Sequence, residues 1–250
     1  MSSRTMIIPI LIVIACWILP QPTHAQTKAG VVLWRHSTSL EATSATDFDG
    51  DDDTGDARAK NWDTRGSGFG LRADYDFPQL ASVYLQLGLA QATVRDEDLG
   101  DPDLDLSSLG FDEGFSAGFG ASLGDEFASN KDAFWSAGFG LRFLSSNMNE
   151  DIDTTWDYNE TTLTFDGTVG YMVAGVGLYG GLRFVRINAD LEETDSTNPP
   201  GQQVRRTELA RDNPLDLLIG ARTGSAPVAG FFELGAVGSF SAAAGFAFGF

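Results

Sequence analysis

The chain has 250 residues, with 35 acidic side chains against 16 basic ones, a formal net charge of −19, two histidines and one cysteine. That balance sets nucleic acid aside as a partner, because phosphate binding needs clustered Lys and Arg. It also excludes an internal disulfide framework, since a single cysteine has nothing to pair with.

The first 25 residues read as an export signal. "MSSR" is a short basic start, "MIIPILIVIACWIL" an apolar core, and "PQPTHA" ends in small residues at Thr23 and Ala25. This order predicts a secretory signal peptide over residues 1–25, cut after Ala25. The apolar run of about 14 residues, broken by Pro9, falls short of the ~20 that a membrane-spanning helix needs. "VIAC" resembles a lipobox, but the run continues past Cys16 through Trp17, Ile18 and Leu19, which speaks against lipidation. Cleavage removes Cys16 and leaves residues 26–250 as one domain without a thiol.

From there the sequence alternates with period two, the pattern of strands. In "GFGLRADYDF" the apolar set Phe69, Leu71, Ala73, Tyr75 and Phe77 interleaves with Gly68, Gly70, Arg72, Asp74 and Asp76. "SVYLQLGLAQA", "GFSAGFGASLG", "AFWSAGFGLRF", "TLTFDGTVGY", "VGLYGGLRF", "LDLLIGAR", "VAGFFELGA" and the closing "SFSAAAGFAFGF" follow, and "GVVLWRHS" precedes them. About ten strands result, with eight as the alternative if the first strand or a hairpin near 214–237 is misassigned. "GVVLWRHS" and the stretch Val185 to Ile187 alternate poorly, which leaves their facing open.

The connections alternate as well. "PQLA", "DEFASNKD", "MVAG" and "TGSAP" are short. The others carry the acids: "ATDFDGDDDTGDA", "RDEDLGDPDLDL", "MNEDIDTTWDYNE" and "NADLEETDSTNPP". Tight turns at one end and long acidic loops at the other place the strand ends at two unlike boundaries. The last hairpin, around "VGSF", breaks the rule with a short turn where a long one would fit.

The polar face decides which side is inside. A water-facing exterior would be rich in Lys, Glu and Thr, whereas this face is mostly Gly, Ser and Ala with occasional Arg, Asp and Gln. Small residues with a few pairable charges suit the lumen of a narrow barrel. About five outward apolar residues per strand match a lipid-crossing strand of ~9–11 residues. Backbone groups in lipid must all pair, so the sheet closes, and antiparallel closure favours an even strand number.

The final strand, with Phe240, Ala242, Ala244, Phe246, Phe248 and Phe250 on one face, resembles the C-terminal signature of bacterial outer-membrane β-barrel proteins. The resemblance extends over the mature chain as a pattern and points to no family within the class. It implies a single up-and-down antiparallel transmembrane barrel in the outer membrane, with lipid and lipopolysaccharide around it. It further implies recognition by the barrel-assembly machinery through Phe246, Phe248 and Phe250, and a monomer. Tyr75, Phe77, Trp135, Tyr171 and Phe248 cluster near the short turns, where an interfacial aromatic belt belongs.

Six inward charges fall at similar heights counted from the short turns: Arg72, Arg142, Asp166, Arg183, Asp216 and Glu233. Buried charges must pair, so these form either a salt-bridge plug or the constriction of a narrow path. The spacing of Asp49, Asp51, Asp53 and Asp56 in "DFDGDDDTGD" suggests calcium, although Arg58 or Lys60 stands where an EF-hand needs Glu. No other cofactor is indicated. The omptin proteases resemble this chain in strand number, but their chemistry needs an Asp–His pair, and His36 is the one mature histidine. The outer-membrane lipid A deacylases are no better matched by His36 beside Ser37 and Ser39.

The sequence therefore favours a non-enzymatic barrel acting as a narrow or gated pore for small solutes or cations. A closed structural or surface-binding barrel acting through acidic loops is the second reading, and a rim hydrolase at His36 the third.

Overall fold

The computed structural model describes residues 26–55, 62–77, 81–96, 109–111, 114–149, 153–211, 213–223 and 228–249. The signal segment 1–25, Asp56 and Phe250 lie outside them.

The strands are β1 (Gln26–Thr46), β2 (Trp62–Asp76), β3 (Ala81–Asp96), β4 (Leu109–Gly110), β5 (Gly114–Phe127) and β6 (Asn130–Asn149). They continue as β7 (Thr154–Val173), β8 (Val176–Asp195), β9 (Val204–Ala210), β10 (Leu215–Thr223), β11 (Val228–Val237) and β12 (Phe240–Gly249). Ten of them close a ring by antiparallel pairing: β1, β2, β3, β5, β6, β7, β8, β10, β11, β12 and back to β1. Closure leaves this ring without an edge, so its backbone is satisfied internally. The β7–β8 turn shows how tight the short end is: Ala174 (φ 50°) and Gly175 (φ 84°) both take the left-handed conformation that a two-residue hairpin requires.

Several acidic stretches expected as loops are strand. β6, β7 and β8 each run 20 residues, so "TTWDYNE" and "NADLEETD" are paired to one another rather than looped. The reason is that the alternation does not stop where the outward apolar residues stop. Its chemistry inverts. On the lower part of β8, Leu178, Leu182 and Phe184 face out while Tyr179 and Arg183 face in. Above them Arg186, Asn188 and Asp190 face out while Val185, Ile187, Ala189 and Leu191 are buried inside. β1 inverts between Leu33, 57% exposed, and Trp34, 8% exposed.

The barrel thus has two storeys. The lower one wears an apolar band, with Leu71 at 66% and Val169 at 61% exposure, and Phe139, Phe165 and Phe184 laddered across β6, β7 and β8. The upper one has a polar wall and an apolar interior built from Leu40, Trp62, Val94, Tyr158, Ile187, Leu209 and their neighbours.

A fork joins the storeys. β9 pairs with β8 above and with β1 on its other side. β10 continues along β8 below, but there the hairpin β11–β12 is inserted before β1. The wall therefore loses two strands on passing upward, and the ten-strand reading holds for the lower storey. The tip of that hairpin is seated in the wall, which is why the turn around Gly238 is short. Asp216 holds it: its Oδ1 accepts from the amides of Gly238 (3.1 Å) and Ser239 (3.0 Å), and its Oδ2 from the Ser239 hydroxyl (2.7 Å). Arg211 neutralises Asp216 at 2.6 Å, both side chains 1% exposed.

Candidate functional site

The lower lumen encloses a cavity of about 390 Å³ whose walls carry Arg72, Arg142, Asp166, Arg183, Arg222 and Glu233. Five of the six charges expected inside thus share one space. Asp216 does not; it is spent on the fork with Arg211. Cross-strand register produces the grouping, since Asp166 lies opposite both Gly138 and Arg183, and Arg183 opposite Asp216. A second cavity of about 440 Å³ continues toward the short turns, sharing Arg72, Arg222 and Phe231 with the first.

The charges are mostly paired. Arg183 Nη2 meets Glu233 Oε1 at 2.5 Å, and the Tyr179 hydroxyl donates to Glu233 Oε2 at 3.3 Å. Arg72 donates to Asp74 Oδ1 from Nε (2.9 Å) and Nη2 (2.7 Å) and stacks over Tyr84 at 4.0 Å. Arg222 has no carboxylate within ion-pair reach among the described residues and lies over the Phe134 ring at 4.1 Å. The glycines of this level serve close packing: a Cβ on Gly120 would fall 2.5 Å from the Tyr84 ring, and one on Gly220 2.4 Å from the Tyr179 ring.

At the ceiling of the cavity, just above the apolar band, sits a network that the sequence reading did not assemble. His36 points inward, not toward the outer surface, and is 5% exposed. Arg142 Nη2 donates to its Nδ1 (3.0 Å), so Nε2 carries the proton and donates to Glu160 Oε2 (3.0 Å). Glu160 also accepts from Arg142 (3.2 Å), Thr162 (2.7 Å) and the Tyr158 hydroxyl (2.9 Å). The Arg142 guanidinium stacks on Trp34 at 3.9 Å, and the Trp34 and His36 rings stack at 5.7 Å. Burial alone would raise the Glu160 pKa, but the hydrogen bonds donated by His36 and Thr162 and the Arg142 charge hold the carboxyl well below the usual range. Both imidazole nitrogens are engaged, which leaves neither free to activate a nucleophile.

Glu160 and Tyr158 were legible in principle, because Glu160 keeps the even parity of Thr162, Thr164 and Asp166. Their place inside an acidic stretch masked it. Arg222 shares the even parity of Asp216 and Gly220 and was legible in the same way, whereas Arg211, before the start of β10, carried no comparable signal.

In the first long connection, Asp49 Oδ1 accepts from the Asp51 amide (3.1 Å), and the Asp53 amide donates to the Ala45 carbonyl (3.0 Å). Among the described residues no group of three or more His, Cys, Asp or Glu side chains is placed to hold a metal ion. Phe246 and Phe248 face outward on β12 in edge contact, 5.9 Å apart.

No family model matches the chain. No curated protein matches it in sequence. Solved structures that resemble it are outer-membrane barrels. The outer membrane protein OprG from Pseudomonas aeruginosa is 14% identical, over 89% of this chain and 97% of that one, with a TM-score of 0.42. The COG4313 outer membrane channel from Pseudomonas putida F1 is 13% identical, over 92% and 100%, at 0.38. The outer membrane protease OmpT from Escherichia coli is 10% identical, over 93% and 97%, at 0.42. Such values add nothing to what the strand pairing already establishes, an antiparallel up-and-down barrel with a ten-strand ring.

Proposed function

We propose that this chain is an integral outer-membrane β-barrel of the closed kind, exported and then inserted through its ten-stranded storey. On this reading the short turns face the periplasm, and the upper storey stands out in water at the cell surface. The protein then acts through the outer wall and rim of that storey and not through a continuous channel. One observation carries this: above the Arg142–His36–Glu160 network the lumen is occupied by buried apolar side chains, Leu40 (1%), Val94 (2%), Tyr158 (1%), Ile187 (2%) and Leu209 (1%). The buried hydroxyls among them, Thr38, Thr64, Ser146 and Thr207, are too few to replace the hydration of an ion crossing that packed layer.

The apolar band supports insertion. Its outward residues on β7 run from Leu163 to Val173, the reach of a tilted lipid-crossing strand. Phe246, Phe248 and Phe250 would serve the assembly machinery. No catalysis and no cofactor enter this reading.

A second reading, a narrow gated pore, rests on the charged cavity of the lower storey. It requires the apolar layer to move. Liposomes carrying the refolded chain should show no swelling in small sugars or amino acids, with heat-shifted gel mobility confirming the folded barrel. Swelling at a rate set by solute size would favour the pore.

A further inference from the structure

The upper wall is divided by charge. On β6, β7 and β8 its outward residues include Asp157, Asp190 and Glu192 against Arg186, whereas β1, β2 and β3 present Arg35, Arg65 and Arg95 against Asp63 and, at the top of β1, Glu41. In a chain of net charge −19 this is a cationic sector.

Register makes the three arginines one stripe. Arg35 lies opposite Ser67, and Arg65 lies opposite Ser37 and Thr93, so each next arginine is a diagonal neighbour two residues further up. Leu33, Phe69 and Leu89, the last outward apolar residues of the three strands, are in register with one another. Arg35, Arg65 and Arg95 therefore stand two, four and six residues above the band, about 7, 13 and 20 Å along their strands. All three are exposed, and among the described residues none has a carboxylate within ion-pair distance. Asp63 lies opposite Arg95 in register, beyond ion-pair distance, and accepts from the Ser39 hydroxyl at 2.5 Å.

We propose that this stripe binds the phosphates of a phosphorylated membrane glycolipid, lipopolysaccharide in an outer membrane, lying against β1–β3. The inference rests on the membrane reading above. A simple phospholipid carries its phosphate at one height, whereas the stripe offers guanidinium groups at three, which suits phosphates borne on successive sugars. Ser37, Ser67, Gln91 and Thr93 between them offer donors and acceptors to sugar hydroxyls. Guanidinium is the side chain best matched to phosphate, and continuity with the apolar band lets the acyl chains pack below it.

The test titrates fluorescently labelled lipopolysaccharide into the refolded full chain in zwitterionic detergent, read by anisotropy. The triple variant R35Q/R65Q/R95Q should weaken binding about tenfold. The charge-matched variant K131Q/R186Q/R206Q should bind within about threefold of the parent. Dephosphorylated lipopolysaccharide should bind the parent as poorly as the native glycolipid binds the triple variant. Excess inorganic phosphate should not displace it. Equal affinity of the two triple variants overturns the proposal, as does loss of parent binding in a chelator, which would mean divalent bridging through acidic groups. Displacement by inorganic phosphate overturns the glycolipid assignment. Heat-shifted mobility is recorded for every variant, so failure of the chain to form a membrane barrel is read separately from failure of the stripe.

Discussion

Phe184 and Val185 are consecutive apolar residues of β8, and they face opposite sides of the barrel wall: Phe184 is 42% exposed on the outer band, Val185 7% exposed in the lumen. On the membrane reading proposed above, the strand changes solvents between them. Below, the exterior must satisfy an apolar medium and the interior can hold charge. Above, water surrounds the wall and the interior becomes an ordinary core. Leu33 and Trp34 mark the same boundary on β1.

A core residue of the upper storey should accordingly behave as one in a water-soluble protein. Ile187→Ala should cost about 2–5 kcal/mol, whereas Asn188→Ala, its outward neighbour, should stay within about 0.5 kcal/mol. Denaturant unfolding in detergent micelles followed by tryptophan fluorescence measures both. Equal costs would mean the upper lumen is not packed.

The fork depends on a fully buried ion pair. Asp216→Ala leaves the Arg211 guanidinium buried without its counter-charge and frees the hairpin tip, so a loss of about 3–5 kcal/mol is expected. Hydrogen exchange at the Gly238 and Ser239 amides should accelerate more than at the amides of β6. Adding Arg211→Leu should restore part of the loss, because the uncompensated charge is then gone. A double variant no more stable than Asp216→Ala would place the loss in the hydrogen bonds of Asp216 to the hairpin tip and not in a stranded Arg211 charge.

Much of this was legible in the sequence, and the limits have physical causes. The period-two pattern of "GFGLRADYDF" reports the lower storey faithfully because one face is apolar along its whole length. Val185 to Ile187 and "GVVLWRHS" read poorly because the pattern inverts there, so two apolar residues fall side by side. The long acidic segments looked like loops because their outward Asp, Asn and Glu dominate the composition, while the inward Tyr158, Ala189 and Leu191 are fewer. The charges of the cavity followed from parity. Asp216 was misplaced among them because the break at 211–214 puts it at a junction that no single strand announces. The pairing of His36 with Glu160 joins residues 124 apart in sequence and depends on where the ring closes.

Stability should also respond to acid through Glu160. The folded protein holds this carboxyl below its ordinary value of 4.5, so folding favours the charged form. Its contribution is complete above pH 4.5 and declines as pH falls below that value. The stability difference between the parent and Glu160→Gln should therefore be flat at neutral pH and shrink below pH 4.5. A difference that grows on acidification would contradict the network as described.

A closed lumen separates a sealed barrel from a conducting path. Single-channel recording of the refolded mature chain in a planar bilayer under a salt gradient tests this most directly, with insertion shown independently by protease protection. The closed barrel predicts a silent bilayer in the presence of inserted, folded protein. Discrete conductance steps whose reversal potential shifts on Arg142→Ala or Glu233→Ala would contradict it and make the charged cavity part of a path.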